Sequence, residues 1–443
     1  MGVTELESNE QRLESAGTPP QRVGRRVRVL VTFWGMLVCL PALPLVLGFC
    51  CLVSSITGGD DPGTFAFGLV MATLMVVGLV FGGTMLLQGS GSLSKKPSKR
   101  LRLPPLWGVI GGFVLTLVTG LGLAQVKGVA PLLAPWFIVA TAALPPLAAV
   151  VWAVESRPGW LTWRRMGVAF SAGATVSVLL AILLEILAPF TIVWILLDLG
   201  EPVLDALEGL VELLAGGEVA RALTSSGFLL ALFQLALVAP LVEEFVKPLV
   251  VLPLLRGLES RREVFLLGAA AGAGFAALEN VLYALFGGEY WGGILTVRAL
   301  GAAVHPLGAG LTALAWHAIL NRKPGAGRGW FGGFGLAVGQ HALWNGGLVL
   351  WMALSGAAFF GPESWETDVM GISIAVGMLA LVALEGAALW VGMRAFSRRL
   401  APEHGRAAGL SIGEGLSTER AIALWAVVCL LVLLPVGLAA LSR

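Results

Sequence analysis

Apolar runs of about 20 residues follow one another along almost the whole chain, separated by short polar segments. They lie near 30–54, 64–88, 106–126, 132–154, 167–197, 228–254, 264–287, 297–320, 330–354, 369–395 and 421–441. A helix needs roughly 20 apolar residues to cross the hydrocarbon of a bilayer, and these runs lack the polar stripe that a surface helix turns to water. The pattern therefore predicts an all-α, polytopic membrane helical bundle with about eleven transmembrane helices. The run at 167–197 is over-long, and 421–441 suits an interfacial or re-entrant course as well as a span.

Composition excludes a soluble alternative. Of the 443 residues, 57% are hydrophobic and 13% are charged, against about 25% charged in soluble domains. The net charge of +2 gives no reason to expect a nucleic-acid partner, but its distribution orients the chain. Basic clusters precede the first run (Arg25, Arg26, Arg28) and follow the second ("SKKPSKRLR") and the fourth ("RPGWLTWRR"). Others follow the sixth ("RGLESRR"), the eighth ("NRKPGAGR") and the tenth ("RAFSRRLAPEHGR"), whereas the intervening loops are acidic or neutral. The positive-inside rule then puts the N-terminus in the cytoplasm of a cell-membrane protein. Cys39, Cys50, Cys51 and Cys429 form no CxxC pair, which argues against a disulfide framework or a thiolate metal site.

The organisation expected is a disordered cytoplasmic tail at 1–24, N-terminal transmembrane helices at 25–199, and an external amphipathic segment at 200–226. A core of four helices at 227–355 and C-terminal transmembrane helices at 356–443 complete it. The first 28 residues are polar and basic and do not read as a cleavable signal peptide.

Charged groups within spans cost roughly 2.5–3.5 kcal/mol each at the bilayer centre, so those retained have partners or work. Here they concentrate in four consecutive runs: Glu243, Glu244 and Lys247; Glu279 and Asn280; His305 and His317; His341 and Asn345. Helical spacing lets Lys247 reach either acid, aligns Phe275, Glu279 and Tyr283, pairs His341 with Asn345, and puts Arg298 on the face of His305. Glu185, Glu385 and His317 stand apart and read as structural. Counting along ideal helices places the Glu243/Glu244 pair about 8–14 Å deeper than Glu279, His305 and His341. Pro240 and Pro306 are the two points where a kink would change that register.

No HExxH helix, intramembrane GxGD or serine elbow is present, which removes several protease chemistries. Carboxylates with imidazoles remain, a set that binds a metal or activates water as a general base. The motifs "EEFVK" (243–247), "FAALEN" (275–280), "RALGAAVHPLGAGL" (298–311) and "HALWN" (341–345) resemble, in order and spacing, those of PrsW-type intramembrane proteases of the CAAX-protease and bacteriocin-processing superfamily. The resemblance spans about residues 228–350. It implies an endopeptidase acting on membrane-anchored proteins within the lipid bilayer, in regulated proteolysis such as that of an anti-sigma factor.

By the same resemblance Glu243, Glu244, Lys247, Glu279, His305, His341 and Asn345 are the catalytic set. Lys247 partners the two acids, and Asn345 orients the site or stabilises an oxyanion. Superfamily members have been described both as metalloproteases and as glutamate-dependent enzymes, so metal-free activation of water by glutamate and histidine stays open. Neutral imidazole and carboxylate suit zinc. The metal set is then His305 and His341 with Glu279, or one acid of the 243/244 pair, as third ligand, and the remaining glutamate is the base. Two rivals share these residues: a proton-coupled transporter using them as a relay, and a non-catalytic scaffold of the same superfamily. No internal repeat of the kind transporters are built on is visible. The sequence leaves the oligomeric state open.

Overall fold

A computed structural model describes residues 24–39, 50, 53–54, 62–99, 101, 103–124, 126, 130–154, 161–186, 226–255, 258, 260–359 and 365–400. The tail, the 200–226 segment and the 421–441 run expected from the sequence lie outside these residues, apart from Gly24 and Ser226. The rest is helical, with no strand among the described residues. In chain order the helices are α1 (Arg25–Cys39), α2 (Thr64–Leu93), α3 (Leu106–Ala124), α4 (Ala134–Val154), α5 (Trp163–Ile186) and α6 (Phe228–Leu255). They continue as α7 (Arg261–Phe286), α8 (Trp291–Leu300), α9 (Val304–Leu320), α10 (Ala326–Phe359) and α11 (Trp365–Arg399).

Seven described helices are long and apolar enough to cross a membrane, or eight if α8 and α9 form one bent span. The sequence count of about eleven is not reached among the described residues, for identifiable reasons. The described helix of the first run, Arg25–Cys39, has only 15 residues. Helix α10 has 34 residues, but its glycines, Gln340, His341 and Asn345 dilute its apolar character.

Helix α7 is the axis of the bundle: 89% of its apolar stretch is buried by protein, against 22% for α11 and 28% for α3. Its sequence explains the position. A Cβ added to Gly268 or Gly272 would strike the backbone of α9 at Ala309 and His305, and one on Gly274 would strike Phe170 of α5. On α5, Gly173 meets Ala271 of α7 in the same way. Small residues on both faces thus let three backbones close up, the usual route to tight packing where lipid supplies no hydrophobic drive between helices. Ser260 caps α7 by accepting from the Glu263 amide, with Glu263 in the first turn.

Proline also frees two carbonyls that side chains then use. In α4, Pro145 and Pro146 lie inside the helix, and Pro146 has no N–H for the carbonyl four residues back, Ala142. In α6 a π-turn covers Gln234–Val238, and the Ala239 N–H bonds to Gln234 O. The next residue, Pro240, cannot supply the matching bond to Leu235 O. Asn280 donates to Ala142 O at 3.0 Å and Asn345 donates to Leu235 O at 2.9 Å. A carbonyl freed in hydrocarbon must find a partner, and here each partner comes from a core helix.

The bend of 44° between Gly288–Leu300 and α9 falls at Gly301–Ala303, before Pro306. Pro306 sits in the first turn of α9, where an N–H has no intrahelical acceptor. It therefore starts the helix without kinking it. Gly301 makes the break possible, because a Cβ there would run into the indole of Trp344, itself fully buried.

Candidate active site

Helix α6 changes character where its charged residues lie: a regular turn over Ala239–Val246 tightens into a 3-10 stretch at Lys247–Val251. The i,i+3 and i,i+4 spacing up to Lys247, the C-cap of the α-helical part, keeps Glu243, Glu244 and Lys247 together on one face, and all three are buried. The Lys247 ammonium lies 2.8 Å from Glu243 Oε2 and 2.8 Å from Glu244 Oε1. It also stands 2.6 Å from His305 Nδ1 of α9 and over the Phe275 ring of α7.

The two imidazoles meet edge to face with centroids 4.7 Å apart. Each has a carboxylate on one side and Glu243 on the other. His305 Nε2 is 2.9 Å from Glu279 Oε2, while His305 Nδ1 is 3.6 Å from Glu243 Oε2. His341 Nδ1 is 2.9 Å from Glu244 Oε1, while His341 Nε2 is 3.8 Å from Glu243 Oε2. These contacts are satisfied by tautomers that donate from His305 Nε2 and His341 Nδ1. Both bare ring nitrogens then face Glu243.

The helix-counting offset between the 243/244 pair and the other groups is therefore corrected, since the side chains meet within 4 Å. The π-turn in α6 and the break before α9 both depart from the ideal rise on which the count rests.

Behind this cluster stands a polar chain that sequence spacing only half revealed. Arg298 of α8 donates to Glu279 Oε2 at 2.6 Å, its Nε bonds Asn280 Oδ1, and its guanidinium lies over the Tyr283 ring. Arg298 is buried. The seven-residue spacing to His305 was the available signal. Glu185, read as isolated, is within electrostatic reach of Glu279 and Lys247. His317 is separate: its Nε2 bonds Leu258 O at 2.9 Å. Asn345 bonds α6 through Leu235 O.

Glu243, His305 and His341 each offer a donor atom, all within 4.8 Å of one another, and all three residues are buried. Two atoms of this group, Glu243 Oε2 and His341 Nε2, make no hydrogen bond, although Lys247 approaches Glu243 Oε2. His341 Nε2 is thus a buried acceptor without a donor, which is costly, and an imidazole–imidazole–carboxylate set with a carboxylate on the far side of each histidine matches the requirements of a divalent metal. The residues fit such an ion.

A membrane-spanning helical protein that buries carboxylates and imidazoles around one point has the construction of an intramembrane hydrolase. The family model of PrsW intramembrane metalloproteases matches residues 161–384, just over half of the chain, and the chain belongs to that family. It is an integral membrane protein and a peptide hydrolase of the metalloprotease kind. Comparison with curated proteins and with solved structures returned no match.

Proposed function

We propose that Glu243, Glu244, Lys247, Glu279, His305 and His341 form the catalytic centre of an endopeptidase that cleaves single-span, membrane-anchored proteins. An anti-sigma factor is one candidate substrate. The observation that carries this reading is the convergence of three carboxylates and two imidazoles from α6, α7, α9 and α10. The basic loops support a cytoplasmic N-terminus in the cell membrane.

Glu243, His305 and His341 would hold zinc, and the bound ion would lower the pKa of water and polarise the scissile carbonyl. Of the third ligands that the sequence leaves open (Glu279, Glu243 or Glu244), the geometry favours Glu243. Glu279 is engaged by His305 Nε2 and Arg298, and so serves to orient the imidazole. Glu244 orients His341 through Oε1, while its Oε2 has no hydrogen bond. That free oxygen is the proposed acceptor of the water proton. Lys247 balances the charge of the two acids. Asn345 fixes α10 against α6, so that His341 reaches Glu244.

Purified wild type should cleave candidate single-span substrates in proteoliposomes, and Glu244→Gln should reduce cleavage to background. Equal rates for the two proteins would overturn the assignment.

A further inference from the structure

At one end of the bundle, about two turns along α6 from Lys247, a cavity of about 510 Å³ opens between the start of α1, the end of α2, the start of α5 and the end of α6. Arg28, Lys95, Lys96, Arg164 and Arg165 line it, with no carboxylate among the described lining residues. Glu263 lies within electrostatic reach of Arg165, which leaves four cations around the opening.

These cations are built in. Arg28 uses Nη1 to bond Ser92 O at 3.0 Å, and Arg164 uses Nη2 to bond Lys96 O at 2.9 Å. The Arg164 amide bonds Ser98 Oγ, and Thr162 caps α5 through the Arg165 amide. The Arg28 and Arg164 side chains are thus anchored, and Arg28 Nε, Arg164 Nε and Arg165 Nη1 are sealed from solvent with no acceptor among the described residues. Those three atoms are closed off from the cavity itself, and what surrounds the cavity is an excess of cationic side chains with no carboxylate among the described lining residues, a setting that suits an anion with several oxygens. Lys95 adds a local exception. It closes α2 with φ +57°, a conformation in which glycine is easier. The chain has put a cation there instead.

The cavity also has an apolar wall of Val31, Val168 and Leu254. A phosphate set against guanidinium groups at the ends of membrane helices, with hydrocarbon alongside, is the chemistry of an anionic phospholipid. We propose that this cavity binds the phosphate headgroup of an anionic phospholipid, clamping α1, α2 and α5 to the α6 end.

Native mass spectrometry of the full-length protein in detergent tests this, with phosphatidylglycerol, phosphatidylcholine and inorganic phosphate as probes. The expected result is retention of phosphatidylglycerol over phosphatidylcholine. Replacing Arg28, Arg164 and Arg165 together with Gln should weaken it roughly a hundred-fold, at about tenfold or less per cation. Arg322→Gln, on the loop after α9, should leave it unchanged. Retention in the presence of millimolar inorganic phosphate identifies lipid as the source, and displacement by it identifies free phosphate. Because the triple variant risks misfolding, headgroup-photoactivatable phosphatidylglycerol should in addition label wild type within Ser92–Ser98 or the first turn of α5. Equal binding of both lipids without phosphate binding, or labelling confined to other segments, would overturn the proposal.

Discussion

Asn280 donates its side-chain amide to the carbonyl of Ala142, 3.0 Å away, and Pro146 is the reason that carbonyl is available. The same asparagine accepts from Arg298 Nε; Arg298 holds Glu279, and Glu279 holds His305 Nε2. One hydrogen-bonded chain thus runs from a proline-interrupted helix to the imidazole whose other nitrogen faces Glu243.

Cutting that chain has a two-part signature. Asn280→Ala orphans the Ala142 carbonyl and the Arg298 Nε donor, each at a cost of about 1–3 kcal/mol. Adding Pro146→Ala restores an N–H for Ala142 and should return part of the loss. Denaturation in detergent micelles measures both. If the double variant is no more stable than Asn280→Ala, the link between Pro146 and Asn280 is wrong.

The two adjacent acids should separate by metal content. Glu243→Gln is expected to lower stoichiometric metal uptake together with activity, because Glu243 is the proposed third ligand. Glu244→Gln should lose activity while retaining metal. Elemental analysis after purification distinguishes them, and the opposite pattern would exchange the two roles. Replacing His305 and His341 with alanine should abolish uptake in a protein that still inserts; metal retained by that variant would place the ligands elsewhere.

Glu279→Gln keeps a hydrogen-bond acceptor near His305 but removes the charge that Arg298 and His305 share. Loss of a carboxylate behind a ligating histidine typically costs 10–100-fold in metal affinity. Competition with a chromophoric chelator reads this directly. An affinity within twofold of wild type would mean that Glu279 does not orient the imidazole.

Gly308 lies where α9 passes Glu244, and a Cβ there would collide with Glu244 Oε2. Gly308→Ala should therefore displace the proposed proton acceptor and reduce cleavage; misplacements of about 1 Å can cost roughly 100-fold. Gly339→Ala, with open space around its Cβ, is the control and should cleave at the wild-type rate. Equal activity of both variants would remove Glu244 Oε2 from the reaction.

Much of this centre is legible in the sequence because charge in hydrocarbon is conspicuous. Glu243, Glu244, Lys247, Glu279, His305 and His341 stand out one by one, and all are in the cluster. Their relative depth was not legible, since a π-turn at Gln234–Val238 and a break at Gly301–Ala303 leave no periodic signature. Arg298 was visible through its seven-residue spacing to His305, but its bonds to Glu279 and Asn280 were not. The acceptors of the Asn280 and Asn345 side-chain amides are backbone carbonyls, which carry no sequence label except the prolines that free them.

Lys247 contacts two of the three proposed donor atoms' residues, Glu243 and His305, and also Glu244. Without a metal, its ammonium is the only cation the described structure sets directly against both acids. Removing one partner of a buried ion pair commonly costs about 3–5 kcal/mol. Lys247→Met should therefore lower the stability of metal-free protein by a similar amount. A divalent ion supplies the missing positive charge, so zinc should raise the melting temperature of Lys247→Met by more than that of wild type. Apparent zinc affinity should rise as well, because the competing ammonium is gone. Thermal melts with and without zinc, together with a chelator titration, decide it. A smaller zinc-dependent gain in the variant than in wild type would show that lysine and metal do not share these donors.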